Sequence, residues 1–417
     1  MSRWTPASPG EAAQPTVLRF PDHRGAGFGC DRLLACARVL LGVEIAVFLF
    51  FVAGTHGLIV PLAAPTSTDF VSFYAAGTLA DAGTPQLAYD RSVHEAAEQP
   101  ATAPGVEYRF FYYPPVFLLL CAALARLPYI AAFVIFEAAT FALYLLTMRG
   151  ILVGRRWSAM IPGVAFPVVF WALGLGQNSF LTAALFGAGT LCIDRRPILA
   201  GLCLGALCYK PHFAVLVPIA LLAGCHWRAL AATAGAAAAL CGLSLIAFGC
   251  ETWNAFFAAG AGSLATYASG RINFGGFVSP FGGVLLTGGS PHTAFAVQAS
   301  VTLATGLLVT FVWRRRLPLP VRAATLTAAT LLAIPVILIY DLLLAAVAAA
   351  WLIRDPAGPA DWEIRVLTAL FALAIIPPGL SEAWHFPSAP ILALALVGLI
   401  VARVFGQTST ASQAAPN

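Results

Sequence analysis

The sequence predicts an all-α polytopic membrane protein, and three observations carry that prediction. Hydrophobic residues make up 60% of the chain and charged residues only 10%, against roughly 25% charged in a soluble globular domain. The mean hydropathy is +0.85, and 417 residues offer too little interior to hide so much apolar surface, whereas a bilayer accommodates it. Apolar segments recur along nearly the whole chain, punctuated by arginine clusters. The expectation is about 11–13 transmembrane helices, with juxtamembrane helices in the first external loop. The net charge of +5 reads as cytoplasmic arginine loops rather than a nucleic-acid site. The nine cysteines form no CxxC and share no zinc-ligand spacing with a histidine, so they read as small buried hydrophobes.

Residues 1–30 are rich in Pro and Gly and are expected to form a disordered cytoplasmic N-terminus. The first apolar run, about 36–60, exceeds the roughly 7–15 residues of a cleavable signal core and reads as an uncleaved anchor flanked by Arg24, Arg32 and Arg38. A single transmembrane catalytic domain then covers 31–404, with external loops at 61–111 and 250–290, and 405–417 as a cytoplasmic tail. The first loop carries Asp69, Asp81, Asp90, Glu95, Glu98 and Glu107 against Arg91 and Arg109, an acidic balance that belongs outside. Ser67 or Thr68 is positioned to cap a helix from Asp69, in which Phe70, Phe73, Tyr74 and Gly77 share one face. That pattern predicts an amphipathic helix on the membrane surface, with a second short helix over Tyr89–Glu98.

Apolar segments follow at about 112–127, 129–148, 158–175, 179–193, 197–209, 213–224, 229–249, 293–312, 320–340, 341–353, 364–378 and 388–404. Arginine clusters at 149/155/156, 195/196, 226/228 (with His226), 314–316 and 354/365 are placed in the cytoplasm by the positive-inside rule. The turns at Gln177, Lys210, 250–290, Tyr340/Asp341 and 379–387 then fall outside. Residues 112–148 break this parity, and Tyr112–Leu127, with Pro114, Pro115 and Pro128, is expected to be a re-entrant or half-crossing helix.

The unusual polar residues collect on the external side. Asp69 reads either as a helix-start aspartate favoured by the macrodipole or as a general base near the membrane surface. Lys210 stands in Leu207-Cys-Tyr-Lys-Pro-His212, inside an apolar run that Pro211 breaks; it suits anion binding, unless it snorkels from a helix end. His212 either orients a phosphate or sits in a satisfied turn. Gln177 and Asn178 fit an ordinary turn as well as a site. Tyr340-Asp341 reads as a cap between two spans or as a site carboxylate. Arg109, Arg271 and His385 are candidates for holding phosphate or sugar. The cluster from Tyr108 to Tyr113 reads as an interfacial belt or as a stacking surface for a sugar or isoprenoid. No P-loop, HExxH or GxSxG is present, and no polar stretch is long enough for a soluble nucleotide-sugar domain.

In order and spacing the chain resembles the polyprenol-phosphate-dependent glycosyltransferases of family 87, which have the multi-spanning C-type fold and were formerly called domain of unknown function 2029. The resemblance runs through Asp69-Phe-Val-Ser-Phe-Tyr-Ala-Ala-Gly77, Leu87-Ala-Tyr-Asp90, Tyr112-Tyr-Pro-Pro-Val-Phe117, Gly176-Gln-Asn178, Ala200-Gly201 to Lys210-Pro211, His226-Trp-Arg228 and, more weakly, Pro335 to Tyr340-Asp341-Leu342, over roughly 36–345. It implies an inverting hexosyltransferase, mannose being the first expectation. The donor would be a polyprenyl-phosphate sugar and the acceptor a glycolipid or glycan, at the external face of a bacterial inner membrane. It maps the catalytic base onto Asp69 and donor-phosphate binding onto Lys210 and His212, with Arg109 and Arg271 assisting. Tyr74, Tyr113, Gln177, Asn178, Tyr340, Asp341 and His385 become substrate-binding candidates, and the resemblance implies neither metal nor other cofactor. The C-terminal third departs from the family's pattern: Ile334-Pro-Val-Ile-Leu-Ile is plain where a more polar motif is usual, which leaves the acceptor side to 250–290, with Arg271, Asn273 and Ser279. The competing reading is a transporter or flippase, which would use broken helices and intramembrane charge too, but would show inverted repeats. No such symmetry is visible.

Overall fold

The computed structural model describes residues 27–49, 69–102, 108–268 and 273–413. The proposed caps Ser67 and Thr68, the second half of the first apolar run, and Arg271 lie outside the described residues. The helices are α1 (Gly27–Leu49), α2 (Phe70–Asp81), α3 (Arg91–Glu98), α4 (Pro115–Ala125) and α5 (Tyr129–Ile151). Next come α6 (Ile161–Val164), α7 (Pro167–Leu175), α8 (Ser179–Cys192), α9 (Pro197–Ala206), α10 (Leu216–Ala223) and α11 (Trp227–Ala268), the last broken at Gly249. The chain continues through α12 (Pro280–Leu286), α13 (Pro291–Arg314), α14 (Leu319–Ala333), α15 (Leu343–Arg354), α16 (Asp361–Leu373), α17 (Pro378–Ala383) and α18 (Ser388–Gln413). Among the described residues the only β-pairing is one antiparallel bridge between Phe277 and Leu338. The protein is an all-α, multi-span membrane protein.

Helix length sorts these elements. Four described helices are long and apolar enough to cross a bilayer alone, within α5, α11, α13 and α18, and a fifth arises if the bent pair Trp157–Val164 and Pro167–Leu175 counts as one span. The remaining apolar helices are short. At about 1.5 Å per residue, the 14 residues of α8 and the 15 of α14 reach only about 21–23 Å, against a hydrocarbon core of about 30 Å. The expected count of about 11–13 therefore depends on segments that stop partway. Residues 320–340, read as one span, are α-helical only to Ala333; Ile334 is extended, and a 3-10 turn begins at Ile339. Helix α14 is buried at every position from Pro320 to Ala333 and forms the centre of the bundle.

One end of the bundle is tied together by arginines. Arg354 Nη1 donates to the carbonyls of Gly150 and Ile151 at 2.9 Å, and Arg155 Nη2 returns a bond to Ile353 O at 2.8 Å, joining the ends of α5 and α15. Arg322 at the start of α14 reaches Asp194, beyond α8, at 2.7 Å, and His226, before α11, at 3.1 Å. The arginine clusters thus converge, and the short helices α8, α14 and α15 run from this end to a shared cavity at the other. Helices α9 and α10 also meet there, at Lys210. Helix α9 closes tightly on α11, because a Cβ on Gly201 or Gly205 would come within 2.4 Å of the Ala229 or Thr233 carbonyl.

The first loop corrects one expectation. Helix α2 has no broad polar face: Phe70 to Phe73 and Ala75 to Gly77 are all buried, between α4 on one side and the start of α5 on the other. The amphipathic element is α3, whose N-cap Asp90 accepts from Ser92 N and Val93 N. Helix α4, at 11 residues, is too short to cross; Pro114 before it lines the cavity, and Arg126 after it pairs with Asp81 at the end of α2 at 2.8 Å. Of the two helices in 112–148, only α5 is long and apolar enough to cross a bilayer. The 250–290 stretch is helical to Ala268 and again over α12.

Candidate active site

At the end opposite the arginines lies a cavity of about 410 Å³. Eight of the residues singled out from the sequence line it: Asp69, Arg109, Tyr113, Gln177, Lys210, His212, Tyr340 and Asp341. Three others do not. The Tyr74 hydroxyl donates to Leu127 O at 2.9 Å, on the side of α2 that faces the α4–α5 turn. Asn178 is fully buried behind Gln177, its carbonyl accepting from Thr182 and Tyr209. His385 is exposed in the turn between α17 and α18, at a φ of 51°. Ser279, expected on the acceptor side, instead caps α12 and donates to Pro335 O at 2.5 Å.

Asp69 occupies the N-cap position of α2, yet its carboxylate caps nothing. It accepts from Gln177 Nε2 at 2.5 Å and faces Arg109 Nε at 3.6 Å, while its backbone N–H donates to Leu175 O. Gln177 is itself oriented: its Oε1 accepts from the Tyr113 hydroxyl at 3.4 Å. Gly176 makes this meeting possible. It closes α7 at a φ of 69°, in the left-handed region, and a Cβ there would come within 2.6 Å of Phe70 Cβ. What reads locally as an ordinary turn is the joint that presses Gln177 against Asp69.

Lys210 does not snorkel; it is 3% exposed, and its Nζ donates to Asp341 Oδ1 at 2.9 Å. Tyr113, Phe213 and Tyr340 surround the ammonium, their ring centroids 5.1–5.9 Å away. An ammonium has three N–H groups, and Asp341 is the one acceptor it meets among the described residues. The pair forms the cavity floor, at the ends of helices that stop short of a full crossing, where a charge survives only if paired or used.

Behind the wall, His94 Nε2 donates to Ser72 O at 3.1 Å, so its Nδ1 accepts from the Tyr108 hydroxyl at 3.1 Å. Glu98 lies 3.6 Å from the same Nδ1 and accepts the Arg109 backbone N–H at 3.3 Å. Burial pushes Glu98 up to about 7 and His94 down to about 4, so both are neutral across the interval between. The network fixes Tyr108 and the backbone of Arg109, two cavity-lining residues.

Sequence reading missed Ser72, Arg91, Tyr209, Phe256, Val336 and Leu338 as lining residues. Ser72 and Tyr209 lay inside motifs already quoted; Phe256 belongs to the arm of α11 beyond the Gly249 break, which no local pattern announces. Among the described residues no group of three or more His, Cys, Asp or Glu side chains converges as metal ligands would.

No curated protein and no solved structure matches the chain. The model of glycosyltransferase family 87 matches residues 111–335, just over half of the sequence. The match takes in Tyr113, Gln177, Lys210 and His212 and begins after Asp69 and Arg109. The chain therefore belongs to glycosyltransferase family 87.

Proposed function

We propose that the cavity transfers a hexose, mannose first, from a polyprenyl-phosphate sugar to a hydroxyl of a lipid-linked or glycan acceptor, with inversion. The observation that carries this reading is a single cavity with a fixed carboxylate on its wall and cations close by: Asp69 held by Gln177, Arg109 beside it, and Lys210 on the floor.

The chemistry follows from those roles. Asp69 takes the acceptor's hydroxyl proton as the acceptor oxygen bonds to the anomeric carbon from the face opposite the phosphate. The bond from that carbon to the phosphate oxygen breaks, and polyprenyl phosphate leaves with the electron pair, gaining one negative charge. Gln177 donates to Asp69 Oδ2 and so fixes the carboxylate's orientation, with Oδ1 turned toward Arg109. Lys210 keeps donor capacity after pairing with Asp341, and Arg109 adds charge where the leaving phosphate develops it. His212 and Tyr340 complete the floor, and Tyr113 bridges floor and wall.

The positive-inside rule assigns the arginine-tied end to the cytoplasm of a bacterial inner membrane, so the cavity opens toward the outer leaflet, where a lipid-borne sugar arrives. The test is transfer by purified protein in lipid, using radiolabelled polyprenyl-phosphate-mannose and a membrane glycolipid extract, with the product's anomeric configuration determined. Transfer with inversion supports the reading. Retention at the anomeric carbon, or movement of intact donor across the bilayer without transfer, overturns it.

A further inference from the structure

The geometry points to Arg91 as the residue that first captures the phosphate of the lipid-borne donor at the cavity mouth, ahead of Lys210 and Arg109 within. The inference rests on the donor class proposed above.

Three cations and two carboxylates are among the described residues lining the cavity. Lys210 has Asp341 at 2.9 Å and Arg109 has Asp69 at 3.6 Å. Arg91 has no carboxylate within ion-pair distance among the described residues, so the cavity's surplus positive charge resides on it.

Its conformation excludes the ordinary fate of a surface arginine. Glu95 stands one helical turn on, the usual partner for Arg91 on an exposed helix face. The side chain goes the other way. Its guanidinium carbon lies 4.4 Å from the Phe110 ring centroid, and Nη2 donates to the Tyr112 hydroxyl at 3.3 Å. The adjacent Asp90 is committed to capping α3 through Ser92 N and Val93 N. Phe110 and Tyr112 both line the cavity, so two aromatic rings hold a planar cation at its edge. An arginine stacked in this way loses little freedom on engaging phosphate oxygens, which its fork of N–H groups matches. Exposed at the mouth, it meets the phosphate at the headgroup level first, before the donor moves inward to seat its phosphate at Lys210 and its sugar at Asp69.

The test uses full-length protein in phosphatidylcholine nanodiscs, with polyprenyl monophosphate and the uncharged polyprenol as probes, and wild type, Arg91→Gln and Arg91→Lys as variants. Loss of one charge-assisted contact predicts that Arg91→Gln weakens monophosphate binding about tenfold and leaves polyprenol binding unchanged. Arg91→Lys recovers most of the loss, and all three proteins unfold at the same temperature because the side chain is exposed. Equal monophosphate affinity in wild type and Arg91→Gln overturns the assignment while leaving the donor class standing. Failure of the wild type to prefer the monophosphate over polyprenol overturns both.

Discussion

Lys210 and Arg403 are both cations buried with carboxylates, and they are used to different degrees. Arg403 of α18 donates Nε and Nη2 to Glu363 at 2.7 and 2.5 Å, Nη1 to Leu352 O and Asp355, and its second Nη2 bond to Gly358 O. All five guanidinium N–H groups have an acceptor. Among the described residues Lys210 has one acceptor for three N–H groups, and it borders a cavity. The saturated cluster holds α15, α16 and α18 together and has nothing left for a ligand. The unsaturated pair is where a fold leaves capacity for chemistry.

The comparison is sharpest if each cation is removed. Arg403→Met leaves Glu363 and Asp355 buried without their partner and is expected to cost about 3–5 kcal/mol in denaturation, the folded fraction still transferring sugar normally. Lys210→Met is expected to lower transfer about 100-fold or more, as loss of one preorganised donor does elsewhere. The double variant Lys210→Met with Asp341→Leu restores melting temperature but not transfer. Recovery of transfer in that double variant would make the pair structural, like Arg403.

Gly176→Ala tests the joint between Gln177 and Asp69. A left-handed alanine costs about 1–2 kcal/mol, and its methyl group must displace Phe70. Transfer is expected to fall more than stability alone explains, read as kcat lost from protein that remains folded.

The smallest effect concerns His94 and Glu98. Glu98, raised to about 7, holds a proton in the folded state that the unfolded chain releases; that stability is present at low pH and lost as pH rises through about 7. His94, lowered to about 4, contributes stability above its ordinary value of 6.5, lost as pH falls through about 4. The two slopes oppose each other in wild type. Glu98→Gln should therefore become more stable from pH 4 to 6.5, and His94→Asn less stable from pH 4.5 to 7, in melting temperature against pH. Parallel curves for the two variants would mean the pair does not titrate as its burial dictates.

What the sequence disclosed follows the range of the interactions. Hydropathy marks the apolar segments, and arginine spacing marks one end of the bundle, because both are local properties. Lys210 and Asp341 were each visible as charges between apolar runs, but their pairing spans 131 positions and no periodicity reports it. Helix α2 showed aromatic spacing along one face, yet α4 and the start of α5 cover the other sides as well, so the pattern was incomplete rather than absent. Arg91 was legible only as loop charge; its value lies in the choice of Phe110 and Tyr112 over Glu95, a tertiary fact. Tyr74, by contrast, sat in the right motif and faces away from the cavity.

The most direct test of the account is Asp69→Asn beside wild type, assayed for transfer from polyprenyl-phosphate-mannose with melting temperature as the control for folding. The amide keeps the shape at Gln177 and removes the base. The account predicts that transfer disappears while melting temperature and polyprenyl monophosphate binding persist. Equal transfer by both proteins would contradict it and remove Asp69 from the mechanism.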